Sequence, residues 1–158
     1  MKYLPNNHII ILSALLVLYS CASGGGEGAE DQSKQQVAME SVDPYQNWET
    51  NHGIGPISEL TLPGEINQEM AANGKEVYDA MCTACHKIEK KFIGPSPQGI
   101  MDRRTPAWIM NMILNPEEMV QQDPIAKKLL IEYNGSPMAN QNLTQEQARA
   151  VLEYFRTL

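Results

Sequence analysis

Five consecutive residues, Cys82-Thr83-Ala84-Cys85-His86, constrain this chain more than any other stretch. Two thiols three positions apart, followed directly by an imidazole, have the spacing of a c-type haem attachment site. Each thiol can add to one haem vinyl group, and His86 then lies close enough to give the iron an axial nitrogen. The spacing bends the backbone so that both sulfurs and the ring face one porphyrin. Two other readings use the same residues. A Cys-x-x-Cys pair serves dithiol redox chemistry in a βαβ context, or forms half a zinc site when two more ligands are at hand. No strand pattern flanks the pair, and the remaining Cys and His residues, Cys21, His8 and His52, all lie toward the N-terminus.

Residues 1–20 read as an export signal. Lys2 precedes the apolar run 9–18, which is short for a membrane span and suits the core of a signal peptide. Leu18-Tyr19-Ser20-Cys21 then resembles a bacterial lipobox. That resemblance implies cleavage before Cys21 and lipid on its thiol; the alternative is an ordinary signal peptide with an incidental cysteine. With lipid on Cys21 and haem on Cys82 and Cys85, all three cysteines of the chain are consumed and none is left for a disulfide. Lipid on one residue would hold the protein at a membrane without a spanning helix.

The whole chain has 12 Lys and Arg against 19 Asp and Glu. Loss of Lys2 with the signal leaves 11 bases and a formal charge of −8. The imbalance is local: residues 22–66 hold eight acids and only Lys34 as a base, whereas 67–158 hold eleven acids and ten bases. Such a balance excludes nucleic-acid binding, which requires a basic footprint. Residues 21–43 read as a flexible acidic tether beginning Ser23-Gly24-Gly25-Gly26, with a reach of roughly 25 Å at random-coil scaling. Residues 44–65 are too apolar for a free tether. Tyr45, Trp48, Ile54, Ile57, Leu60 and Leu62 predict a segment lying extended along the domain with Trp48 buried, although a loop that orders on a partner would read the same way.

Residues 66–158 predict an all-α domain. A first helix over 66–81 has Asn67 as its cap, Glu69 in its first turn, and Met70, Val77 and Met81 on one face. Gly74 inside it costs about 1 kcal/mol relative to alanine, so another helix must approach closely there. Lys87, Lys90 and Lys91 form either a solvated loop or a positive patch that steers an acidic partner. Thr105 and Pro106 open a second helix with Trp108, Ile109, Met112 and Ile113 as its apolar face, ended by Asn115-Pro116. A third runs over about 124–133. Asn134-Gly135-Ser136-Pro137-Met138 cannot continue a helix. Thr144-Gln145-Glu146-Gln147 is a capping box for a last helix striped by Ala148, Val151, Leu152 and Phe155. Arg103 and Arg104 are candidates to neutralise haem propionates, and Trp108 to donate its indole proton to one. A solvated helix start is the alternative for either arginine.

The order Gly74, Tyr78, Cys82-x-x-Cys85-His86, Gly94-Pro95, a late methionine and a C-terminal helix resembles a small class I cytochrome c over residues 66–158. The resemblance implies the cytochrome c fold, about four helices around one covalent haem c. It implies that the Pro95 carbonyl accepts a hydrogen bond from His86, and that a methionine on the loop before the last helix is the second axial ligand. Met138 has that place. Met101 and Met119 lack the loop-then-helix context, and Met70, Met81, Met110 and Met112 lie within helices, where methionine is more often core. His52, on a glycine-rich loop, reads as an exposed loop histidine, with a second haem ligand as the alternative. The family's first and last helices cross closely, which offers Gly74 the stripe of Val151, Leu152 and Phe155 as a partner and makes Gly74→Leu incompatible with folding.

An iron held by His86 and Met138 has no open position, so the expected function is one-electron transfer without catalysis, at a potential raised by the thioether. A quinol-oxidising complex would be the donor and a periplasmic or cell-surface terminal oxidase or reductase the acceptor. The run Trp108-Ile109-Met110-Asn111-Met112-Ile113-Leu114-Asn115-Pro116 also resembles small lipoprotein cytochromes associated with nitrous-oxide reduction, which would make nitrous-oxide reductase the acceptor. The alternatives are a haem peroxidase or gas-binding sensor with an open or displaceable axial position, and a structural lipoprotein with incidental cysteines. No distal His or Arg is recognisable for the former.

Overall fold

The computed structural model describes residues 43–158; the expected signal peptide, Cys21 and the tether up to residue 42 lie outside the described residues. Among the described residues there are five α-helices and no strand: α1 Gln68–Met81, α2 Pro106–Leu114, α3 Pro116–Gln122, α4 Pro124–Glu132 and α5 Gln145–Phe155. None is long and apolar enough to cross a membrane.

Local chemistry sets most boundaries. Asn67 accepts from the Met70 N–H at 2.9 Å and starts α1. Thr105 accepts from the Trp108 N–H, with Pro106 in the first turn of α2, where its missing N–H has no partner to lose. Thr144 and Gln147 close both arms of the capping box at α5. Helix α3 is additional to the four expected. Pro116, which ends α2, also opens α3, and Glu117 and Glu118 suit the positive end of its dipole.

Helices α1 and α5 cross at close contact. A Cβ built on Gly74 would lie 1.9 Å from the Ala150 carbonyl oxygen and 2.8 Å from the Val151 nitrogen. The partner of Gly74 is therefore the main chain of α5, rather than the side-chain stripe expected from the sequence. Around this contact Tyr78 packs against Tyr154 and, edge-on, against Phe155, with ring centroids 5.5 and 5.7 Å away. Val151 and Leu152 are fully buried beneath them.

Residues 43–65 form an arm that packs on the domain through Tyr45, Trp48, Ile54, Ile57, Leu60 and Leu62. It is not extended throughout. Asp43 caps a 3-10 turn over Pro44–Thr50, because Pro44 presets the helical φ and the Asp43 carboxylate takes the Tyr45 N–H. Trp48 on this turn is half-buried rather than buried. Beyond the turn, hydrogen bonds replace apolar contact as the main fastening. Asn111, fully buried on α2, accepts from the Ile57 N–H and donates to the carbonyls of His52 and Ile57 at 2.8–3.0 Å. Arg156 donates to the carbonyls of Pro63, Gly64 and Glu65. An extended segment has no backbone partners within itself, so these side chains satisfy its polar groups.

Candidate functional site

Helix α1 runs directly into the thiol motif. Cys82 is its C-cap, and its carbonyl accepts from the N–H groups of Cys85 and His86 at 3.1 and 2.9 Å. This tight turn brings Cys82, Cys85 and His86 to the wall of one cleft, lined otherwise mainly by apolar side chains from all five helices and the loops between them. Burial, with Cys85 beside it, pushes the Cys82 thiol up to about 11. A dithiol redox centre needs the opposite shift, because the thiolate is the nucleophile. Among the described residues no group of three or more His, Cys, Asp or Glu side chains assembles, so the pair lacks the partners of a zinc site.

His86 is oriented from behind. Its Nδ1 lies 2.8 Å from the Pro95 carbonyl oxygen. A carbonyl only accepts, so Nδ1 carries the proton and Nε2 keeps the lone pair a metal requires. The Pro95 loop is itself clamped. Gly94 N–H donates to the Cys85 carbonyl at 2.8 Å, Ser96 Oγ to the Ile88 carbonyl, and Arg103 to the carbonyls of Ser96 and Gln98 at 2.7 and 2.9 Å. Position 94 must be glycine here: a Cβ would lie 2.5 Å from His86 Cε1.

Met138 is half-buried in the lining of the same cleft, on the loop between α4 and α5. Met81 and Met112 also line it, from α1 and α2. Met119 does not; it is fully buried, and its Sδ accepts from the Ile54 N–H of the arm at 3.0 Å. Met101 packs on the core outside the cleft lining. His52 is also outside it, with Nδ1 bonded to the Ser58 carbonyl at 2.7 Å.

The remaining predicted residues separate. Arg103 and Arg104 both border the cleft. Arg103 is the clamp on the Pro95 loop, a task that nothing local in the sequence signals. Arg104 is buried between aromatic rings, which lowers its pKa, chiefly through desolvation, without neutralising it. The Trp108 ring forms part of the cleft wall, but its expected donation to a propionate is corrected: Nε1 donates to Asp123 Oδ1 at 3.0 Å. Asp123 is 1% exposed and also accepts from the Ala126 N–H and from Asn51 Nδ2, so a buried charge at the start of α4 is what takes the indole proton. Asp123-Pro124 carries a cap signal in the sequence; nothing local signals its bond to Trp108. Of the lysines, Lys87 donates to the Thr83 carbonyl and Lys91 to that of Glu132, while Lys90 is exposed.

Two thiols, an oriented imidazole and a thioether around an apolar cleft are the donor set of a covalently held haem, and the Gly94 hollow leaves its imidazole room. The family model described as Cytochrome c matches residues 71–158. The chain belongs to the cytochrome c family. Among solved structures, a cytochrome c from Rhodothermus marinus is similar at 42% identity with a TM-score of 0.63, over 65% of this chain and 88% of that one. An engineered form of that cytochrome, Rma TDE, is similar at 41% identity with a TM-score of 0.63, over 65% and 89%. The engineered form bound to a carbene intermediate gives 41% and 0.60, over 65% and 88%. No curated protein matches the chain. The helices thus form the expected cytochrome c fold, with five in place of about four. This cytochrome carries one covalently attached haem c and serves haem-based electron transfer with redox partner proteins.

Proposed function

We propose that this cytochrome is a membrane-tethered, non-catalytic carrier of single electrons, with His86 and Met138 as the axial ligands of the iron and Cys82 and Cys85 as the thioether links. The observation that carries the reading is the pairing of an imidazole, locked by Pro95, with Met138 in one cleft. Bound haem c supplies a one-electron iron couple. His86 offers Nε2 because Nδ1 is committed to Pro95, which also fixes the orientation of the ring. Met138 would offer a soft sulfur that favours the reduced state and would leave no position open to substrates. The apolar walls exclude water, and the clamped Pro95 loop keeps the imidazole from moving as the charge changes.

Lipid on Cys21 would hold the protein at a bacterial membrane, facing the periplasm or cell surface, so that it searches for partners only within a membrane-proximal layer. A quinol-oxidising complex fits as donor and a terminal oxidase or reductase as acceptor, with nitrous-oxide reductase as the specific candidate. The test is the visible spectrum of the oxidised holoprotein beside Met138→Ala. The expected result is a far-red sulfur-to-iron band in the parent that is lost in the variant. A high-spin parent, or a reduced parent that binds carbon monoxide readily, would overturn the carrier reading in favour of a peroxidase or gas sensor.

A further inference from the structure

Two side chains of the cleft wall are held by residues that precede the haem domain. Arg104 is 7% exposed, with its guanidinium 4.8 Å from the centre of the Tyr45 ring and 5.2 Å from that of Trp108. It donates to the Arg103 carbonyl, and among the described residues no carboxylate pairs with it. The carboxylates nearby are committed elsewhere: Asp123 to Trp108, Asn51 and Ala126, and Glu132 to the Tyr45 hydroxyl at 2.9 Å. Arg104 is thus a buried cation on the cleft wall, kept there by two aromatic faces rather than by a counter-charge.

Tyr45 is pinned in turn. Lys128 lies 4.1 Å from its ring centre and pairs with Asp43 at 2.7 Å, while the hydroxyl is held by Glu132. Asn51 steadies the other face of the cage, donating to Asp123 Oδ2 at 2.6 Å while Oδ1 takes the Trp108 indole proton. We propose that residues 43–51 are the outer wall of the haem site, and that Tyr45 is a positioning residue that keeps the charge of Arg104 in the cleft, where it favours the reduced iron. A cation in a low-dielectric wall disfavours the more positive, oxidised state far more than one that swings into water. The inference rests on the electron-carrier reading with His86 and Met138 as ligands.

The experiment is a spectroscopic redox titration of the full holoprotein as parent, Tyr45→Phe, Tyr45→Ala, Arg104→Gln and the Tyr45→Ala/Arg104→Gln double variant. Arg104→Gln is expected to lower the midpoint potential. Tyr45→Ala lowers it in the same direction, Tyr45→Phe leaves it near the parent because the ring remains, and the double variant matches Arg104→Gln alone. Where Tyr45→Ala fails to fold, Tyr45→Leu keeps the apolar bulk without the aromatic face and takes its place in the cycle. A Tyr45→Ala or Tyr45→Leu variant with the parent's potential, or one whose drop is as large on the Arg104→Gln background, overturns the proposal. The oxidised spectrum of each sample separates the two readings: loss of the sulfur band in Tyr45→Ala makes Tyr45 merely structural and overturns the inference, whereas its absence in the parent defeats the ligand assignment and leaves the titration to judge Tyr45.

Discussion

Replacing Gly74 by alanine should have a sign opposite to that expected from helix propensity. In an open helix the change stabilises by about 0.5–1 kcal/mol, since glycine pays more backbone entropy. Here the new Cβ falls 1.9 Å from the Ala150 carbonyl oxygen and 2.3 Å from its carbon. An ordinary carbon–oxygen contact is roughly 3.3 Å, so α1 and α5 must separate locally by about 1.4 Å. The obstacle is main chain within a helix and cannot rotate away as a side chain would. Moving it loosens the packing of Tyr78 on Phe155 and of the buried Val151 and Leu152. Overpacking costs typically 1–3 kcal/mol, and this rigid contact belongs at the upper end, so we expect a net loss of about 3 kcal/mol. A domain of this size would lose roughly 10 °C in Tm. Denaturant and thermal unfolding of the holoprotein, followed by far-ultraviolet circular dichroism, measure the change. A variant as stable as the parent, or more so, would refute the close crossing.

Three further outcomes follow from the same contacts. Gly94→Ala pushes a Cβ into the His86 ring, at 2.5 Å from Cε1, and should weaken the Pro95 bond and the low-spin spectrum; an unaltered visible spectrum and potential would count against the orientation of His86. Asn111→Leu leaves three polar groups of the arm without partners inside the protein, a loss of about 2–4 kcal/mol, and should speed proteolytic cutting within 43–66 while the helices persist; equal cutting rates would contradict the fastening. Burial pushes the Glu153 carboxyl up, but the Asn67 N–H and the guanidinium groups of Arg149 and Arg156 outweigh it and hold the group below its ordinary 4.5. With the folded pKa below the unfolded one, this stabilisation is complete above about pH 4.5 and is lost as pH falls through the folded value, so Glu153→Gln should flatten the acid limb of the stability curve. An acid limb identical to the parent's would remove that argument.

How much of the protein was readable in advance depended on the range of the interaction. The caps at Asn67, Thr105 and Thr144 lie within three residues of the N–H groups they take, so the starts of α1, α2 and α5 were legible. Helix α3 carried the right signals, Pro116 with Glu117 and Glu118, but two turns are too short for a periodic pattern, and Pro116 also reads as a stop. The arm's apolar content indicated packing and Asp43-Pro44 sets its 3-10 turn locally, yet where that turn docks was decided by α4, which presents Lys128 to Asp43 and Glu132 to Tyr45.

The sequence alone determined the chemistry of the site, because covalent haem attachment needs its two thiols and imidazole side by side in the chain, and no folding can substitute for that spacing. It also determined that Gly74 requires a close neighbour. Tertiary structure decided which groups serve which role. Arg103 and Arg104 are adjacent and chemically identical, yet one clamps the Pro95 loop and the other is caged between Tyr45 and Trp108. Trp108 gives its proton to Asp123, fifteen residues away, and not to a propionate. A donor takes whichever acceptor the packed chain brings within about 3 Å, and that proximity between distant residues is a property of the assembled fold.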